Sequence, residues 1–310
     1  MNLSKLSIVI PTYNEEGNIA LLYDQLKEVL NEEGIEQFEL IFVNDGSSDK
    51  SLSVIKGLSD RDTRIKFISF SRNFGHQHAL KAGLDHAMGD AVISMDADLQ
   101  HPPALIPEML KKWKEGAQVV YTIREQEEGI SWFKKQTSSG FYWLINKLSE
   151  HSIIDGAADF RLLDKKVVAE IRRYPEKELF FRGMISGIGF KQSSIHFKPN
   201  KRHSGQTKYS FNKMAAFAIA GITSSSAKPL YFSIYLGAFM AFLAFLYGIY
   251  AICIALFTND AITGWTSIVA SIVFIGGIQL FVMGIIGVYL GKVFKESKNR
   301  PHYIIDETNL

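Results

Sequence analysis

The chain contains a single cysteine, Cys253, which excludes a disulfide framework and a thiolate metal site. It also lacks any large excess of charge. With 34 Lys and Arg against 32 Asp and Glu, the formal net charge is +2. No strong polyanion-attracting field follows from that balance, and nucleic acid is not an expected partner. Proline is sparse, eight in 310 residues. The N-terminal MNLSKLSIVIPTYNEE has too short an apolar stretch for a signal peptide. Internal repeats and low-complexity segments are absent. One further absence is local: from Pro229 to Gly291 the only charged residue is Asp260.

That tail holds two apolar runs, Pro229–Phe257 and Gly264–Gly291. As helices, each is long enough to cross a bilayer core of about 30 Å. Buried core helices are the bland alternative, but runs this long without charge are rare in soluble folds. The link Thr258–Thr263 carries no Lys or Arg, whereas Lys201, Arg202, Lys208, Lys213 and Lys228 precede the runs and Lys292, Lys295, Lys298 and Arg300 follow them. The positive-inside rule then predicts a multi-pass protein of the inner or plasma membrane, with both termini in the cytoplasm. Gly237, Gly248, Gly276, Gly277, Gly284, Gly287 and Gly291 would permit close helix packing within or between subunits, which allows a homo-oligomer.

Before the tail, short apolar runs alternate with longer amphipathic ones. Leu6–Ile10, Phe38–Val43, Ile65–Phe70, Ala91–Met95 and Gln118–Ile123 read as strands; Glu16–Asn31, Asp49–Ser59, Gly75–Met88 and Pro103–Glu115 read as helices. This alternation predicts an α/β fold with a mainly parallel sheet and helices on both faces. Ligands of such sheets sit beyond the carboxyl ends of the strands, where strand order reverses. Those ends are polar here: Pro11–Glu15, Asn44–Asp49, Ser71–Gly75 and Asp96–Asp98. Any one of these loops could be turn or cap chemistry alone; four together favour a site.

Asp96 and Asp98 straddle Ala97, so in an extended segment both carboxylates would face one side. Hard oxygen donors at that spacing suit Mg²⁺ or Mn²⁺, with phosphate oxygens and water completing the shell. Pro102 and Pro103 then turn the chain out of the strand and into the next helix. His76, His78, His86 and His101 lie near the crevice without a compact ligand spacing, and read as helix-surface or packing residues.

In this order and spacing, IVIPTYNEE, VNDGSSD, SRNFGHQHAL and DADLQHPP resemble the core of family 2 glycosyltransferases with a GT-A fold. DFRLLD (Asp159–Asp164), FFRG (Phe180–Gly183) and KRHSGQTKYS (Lys201–Ser210) narrow the resemblance to one branch. It contains the dolichyl-phosphate mannosyltransferases and the bacterial bactoprenol glucosyltransferases, and the similarity spans nearly the whole chain. It implies a Rossmann-like GT-A catalytic domain over 1–207, an amphipathic juxtamembrane helix over 208–228, two transmembrane helices at about 229–257 and 264–290, and a cytoplasmic tail over 292–310. The catalytic domain would then be cytoplasmic too.

The resemblance also implies roles. Pro11, Tyr13, Glu15 and Asp45 match positions that hold the nucleotide base and ribose, and Lys208 is assigned with Asp96 to the nucleotide. Asp96 and Asp98 match the metal-binding motif, and Gln100 a residue that helps complete the metal shell. Arg124 matches an arginine facing the acceptor phosphate; Lys135, Ser139 and Arg202 match residues for the same group. The family more often has arginine where Lys135 stands, and Thr207 replaces a serine of the R-x-x-G-x-S-K-Y motif, keeping a hydroxyl. Asp159 occupies the position of a base or sugar-orienting carboxylate, and Asp98 joins it as a catalytic candidate; the plain alternative for Asp159 is a structural partner of Arg161 or Arg182.

The implied activity is transfer of one sugar, with inversion, from a nucleotide sugar to a polyprenyl phosphate such as undecaprenyl phosphate. UDP-glucose is the favoured donor; UDP-N-acetylglucosamine, another UDP-sugar and GDP-mannose remain open. A processive polysaccharide synthase would carry a Q-x-x-R-W motif and more membrane helices, and the chain has neither. A non-catalytic membrane scaffold would be expected to have lost the metal carboxylates or phosphate-facing basic residues, and these are present.

Overall fold

The computed structural model describes residues 1–125, 156–177, 179–198, 226–257 and 264–310. The five strands read from the sequence form, with small shifts at their ends: β1 (Leu6–Thr12), β2 (Phe38–Asn44), β3 (Ile65–Phe70), β4 (Ala91–Ser94) and β5 (Val119–Arg124). Between them run α1 (Ile19–Glu32), α2 (Ser51–Ser59), α3 (His76–His86) and α4 (Ile106–Lys114), the last preceded by a 3₁₀ turn that starts at Pro103. Helix α1 starts later than Glu16 because the preceding residues are committed to loop hydrogen bonds. The Glu15 amide donates to Ser51 Oγ, and Asn18 Nδ2 donates to the Glu15 carboxylate.

Three further strands complete the sheet: β6 (Ala157–Asp164), β7 (Gln192–Phe197) and β8 (Ile305–Thr308). The order is β7-β5-β6-β4-β1-β2-β3-β8. β1 pairs in parallel with both β2 and β4, and β2–β3 and β5–β7 are parallel; β4–β6, β5–β6 and β3–β8 are antiparallel. The DFRLLD segment is therefore β6, inserted beside β4. Helices α5 (Lys165–Arg172) and α6 (Phe181–Gly187) follow it, α5 being capped by Asp164, whose carboxylate accepts from the Lys166 amide.

Alternation along the strands feeds two cores. Ile8 and Ile10 pack with Leu40, Phe42 and the buried faces of α1 and α4, including Leu22, Leu26, Met109 and Trp113. Val9 faces the other way, with Ile41, Val43, Ile68, Leu80 and residues of α5 and α6. Gly83 of α3 lets that helix approach closely, since a Cβ there would lie 2.1 Å from Val9 Cγ1. Strand order reverses between β1 and β4, which fixes where a ligand crevice opens.

Two helices, α7 (Lys228–Phe257) and α8 (Trp265–Ser297), are long and apolar enough to cross a membrane. The glycine reading needs correction within the chain. A Cβ on Gly237, Gly276, Gly277, Gly284, Gly287 or Gly291 would meet nothing within 4 Å, so these residues do not mediate contact between α7 and α8.

The chain end is more than a tail. It returns to cover the edge of β3 as β8, with Asn309 Oδ1 accepting from the Phe67 amide (2.6 Å) and Asn309 Nδ2 donating to the Ile65 carbonyl (3.1 Å). Tyr303 stacks on Phe70 with ring centroids 5.1 Å apart.

Candidate active site

The loop after β1 and the loop after β2 interlock. Asn14, at φ 56°, donates its amide to Ser47 Oγ and accepts from the Ser48 amide (2.8 Å), and the Asp45 amide donates to the Thr12 carbonyl (2.9 Å). Pro11 is buried within β1, and Tyr13 stands out at 49% exposure. Asp45 is almost fully buried. Its two oxygens accept from the Phe74 amide (2.7 Å) and the Gly75 amide (2.9 Å), so the carboxylate ties the loop after β3 to that after β2. Burial pushes its carboxyl up against those hydrogen bonds. Gly46, at φ 64°, sits where a Cβ would lie 2.4 Å from the Arg72 carbonyl carbon.

The Asp96–Asp98 segment is not extended as the two-residue spacing predicts. β4 ends at Ser94, and the chain turns at Ala97–Asp98 with Leu99 at φ 63°. The strand thus stops well before Pro102. Asp98 is nearly buried and its Oδ1 accepts from the Gln100 amide (3.1 Å), while the Asp96 side chain keeps 27% exposure. Two histidines fix Asp96: His76 Nε2 lies 2.7 Å from Oδ1, and His101 Nδ1 accepts from the Asp96 amide at 3.0 Å. The surroundings raise the Asp96 carboxyl through burial, but His76, His101 and Arg124 outweigh that and hold it well below the usual carboxylate range. Asp96 in turn raises His76 against the effect of burial; His101, fully buried and stacked on Phe160 at 5.2 Å, is pushed down chiefly by burial.

β6 brings the third carboxylate. Its register against β4 pairs Ser94 with Arg161, and Ser94 Oγ donates to the Asp159 carbonyl (2.7 Å). Arg161 Nη2 reaches Asp159 Oδ1 at 2.8 Å, and Arg182, on the first turn of α6, reaches Oδ1 at 3.2 Å and Oδ2 at 3.1 Å. Burial raises the Asp159 carboxyl, and the two guanidinium groups more than offset it, leaving it below the usual value. Arg124, at the end of β5, places Nη2 3.2 Å from His101 Nε2.

The structure therefore gathers Asp96, Asp98, Asp159 and Arg124 by the β1–β4 reversal, with Pro11 at the end of β1 and Tyr13, Glu15 and Asp45 on the adjoining loops. Lys135, Ser139, Arg202 and Lys208 lie outside the described residues, as does the 208–225 part of the juxtamembrane helix. Of the roles weighed for Asp159, the contacts show the structural one, an ion pair with Arg161 and Arg182. His76, at the exposed start of α3, and His101, buried against Phe160, agree with the surface-or-packing reading, and both in addition hold Asp96. Their signal was position alone: His76 opens the helix after the third polar loop, and His101 ends the carboxylate loop.

Among the described residues no three His, Cys, Asp or Glu side chains converge as a metal cluster. The donor set still fits a hard divalent cation. Asp96 is held anionic and Asp98 follows two residues on, the hard-oxygen donors that Mg²⁺ or Mn²⁺ would take, and such an ion would fill its shell from substrate phosphates and water.

Residues 7–172 match the profile of glycosyl transferase family 2. The chain belongs to that family. It is a glycosyltransferase, and its layered sheet is a GT-A fold. Over 97% of its length it is 45% identical to an uncharacterized glycosyltransferase, YkcC, of Bacillus subtilis, covering 93% of that protein. It is 40% identical to the prophage bactoprenol glucosyl transferase homolog of Escherichia coli over 97% of the chain and 98% of the relative. Among solved structures it is similar to glucosyl-3-phosphoglycerate synthase from Mycobacterium tuberculosis, in complex with Mn²⁺, UDP and phosphoglyceric acid. The match has 18% identity, a TM-score of 0.47, and covers 71% of this chain and 76% of that one.

Proposed function

We propose that this glycosyltransferase moves one sugar, glucose from UDP-glucose, onto a polyprenyl phosphate such as undecaprenyl phosphate at the cytoplasmic leaflet. The observation that carries the reading is near-complete coverage of relatives named bactoprenol glucosyl transferases, at 39–40% identity. The two apolar helices agree with a membrane-bound acceptor, and α7 and α8 are read as spanning with both chain ends in the cytoplasm.

The reaction is a single displacement. A phosphate oxygen of the lipid attacks the anomeric carbon as the bond to the diphosphate breaks, inverting that carbon and releasing UDP. The acceptor is already an anion near neutral pH, so little general-base help is required. Asp96 and Asp98, with Gln100, would hold Mg²⁺ or Mn²⁺, which supplies positive charge to the departing diphosphate. Arg124 meets the acceptor phosphate, since a guanidinium fork matches phosphate oxygens. Lys135, Ser139 and Arg202 are assigned to the same anion, and Lys208 to the donor. Asp159, anionic and clamped by Arg161 and Arg182, orients the sugar. Tyr13, Pro11, Glu15 and Asp45 line the nucleotide side.

The test is radiolabel transfer from UDP-glucose, UDP-N-acetylglucosamine and GDP-mannose into undecaprenyl phosphate by purified protein in detergent. Label entering the lipid from UDP-glucose supports the reading. Label from another donor alone would replace the sugar, and label from none would remove the activity.

A further inference from the structure

The Asp96 carboxylate is held by a chain of hydrogen bonds that starts on another element. The Phe181 amide, at the start of α6, donates to Gln77 Oε1 at 3.3 Å. Gln77 Nε2 lies 3.3 Å from His76 Nδ1, and His76 Nε2 lies 2.7 Å from Asp96 Oδ1. For a neutral imidazole these contacts allow one proton assignment. Because Gln77 Oε1 accepts from a backbone amide, its NH₂ must donate to Nδ1, so the ring proton sits on Nε2 and points at the carboxylate. The Asp96 backbone is pinned separately, by its amide donating to His101. With the amide and Oδ1 both engaged and Oδ2 3.8 Å from His101 Nδ1, the Asp96 carboxylate is held from two sides. The next residue after Phe181 is Arg182, which grips Asp159 with two contacts. The relay thus links the helix that carries Arg182 to the histidine that holds Asp96.

We propose that His76, aligned by Gln77, is a positioning residue that orients Asp96 for the divalent cation and couples it to the Asp159 clamp. This rests on the reading of Asp96 as a cation ligand. Groups that hydrogen-bond a metal-ligating side chain typically change metal affinity about 10- to 100-fold when removed. His76 lies in the crevice mouth with its side chain 41% exposed, so its replacement leaves the cores intact.

The experiment is calorimetric titration of Mn²⁺ into the full-length protein in detergent, with and without UDP, for wild type, His76→Ala, His76→Gln and Gln77→Ala. His76→Ala is expected to bind Mn²⁺ about 10- to 100-fold more weakly in the presence of UDP. His76→Gln, whose amide can still donate to Oδ1, is expected to restore most of that affinity, and Gln77→Ala to fall between. Unchanged or tighter Mn²⁺ binding by His76→Ala would overturn the proposal, as would equal loss in the Ala and Gln variants. If His76→Ala does not fold, His76→Phe replaces it against the same Gln variant. A wild type that binds no Mn²⁺ with UDP would instead sink the cation reading beneath it.

Discussion

Replacing Asp159 by Asn keeps the side-chain shape while removing a charge that faces two guanidinium groups. The Arg161 side chain is only 4% exposed and depends on Asp159 Oδ1 at 2.8 Å. Leaving such a charge uncompensated costs about 3–5 kcal/mol. Arg182 is 35% exposed, so water screens its loss and it adds no more than about 1 kcal/mol. The Asn carbonyl still accepts one hydrogen bond, which puts the total near the lower end, about 3–4 kcal/mol. At about 2–4 °C per kcal/mol for a domain of this size, the melting midpoint should drop by about 6–16 °C. Tryptophan fluorescence during thermal denaturation in detergent reads this directly. Replacing both partners, Asp159→Leu with Arg161→Met, should recover much of the loss because no buried charge is then orphaned. An Asp159→Asn protein that melts with the wild type would refute the claim that Arg161 depends on this carboxylate.

Other outcomes follow from the same contacts. Gly46→Ala combines a left-handed φ with a Cβ 2.4 Å from backbone, and should cost about 2–4 kcal/mol; Gly17→Ala, with nothing within 4 Å, should stay close to neutral, and chemical denaturation of the pair checks both. Asn309→Ala removes two hydrogen bonds to β3, costing about 1–3 kcal/mol, and hydrogen exchange at the Phe67 amide should rise. Asp62 is held at about 2 by Arg64, and Asp90 at about 2 by Lys165 and the Ser4 and Lys5 amides. Both folded values lie below the ordinary carboxylate value. Their stabilisation is therefore complete above about pH 4 and lost as pH falls through about 2. Melting midpoints measured down that range should decline, and a flat profile would contradict the ion pairs.

The first half of the fold was legible because its strands and helices each bury a continuous apolar pattern. Ile8 and Ile10 face one core and Val9 the other, and the period alone reveals that. β6 was harder: DFRLLD reads as a motif, and only its antiparallel register against β4 brings Asp159 to the carboxylate loop. β8 is four residues long and pairs three of them with a strand more than two hundred positions earlier, and no local pattern announces such a partner. In the site, residue type and spacing pointed to Asp96 and Asp98, and the family resemblance to Arg124. Spacing misjudged the shape of the loop, because β4 ends at Ser94 and the chain turns at Ala97–Asp98, ahead of a left-handed Leu99. His76 and His101 act through contacts across elements, which single-chain periodicity does not encode.

The measurement that bears most directly on the central claim is UDP release from UDP-glucose, followed with and without undecaprenyl phosphate, together with mass analysis of the lipid. The account predicts release that requires the lipid, stops with EDTA, returns with Mn²⁺ or Mg²⁺, and is lost in Asp98→Ala, with one hexose added per lipid phosphate. Release that ignores the lipid, or transfer that survives both EDTA and Asp98→Ala, would contradict it.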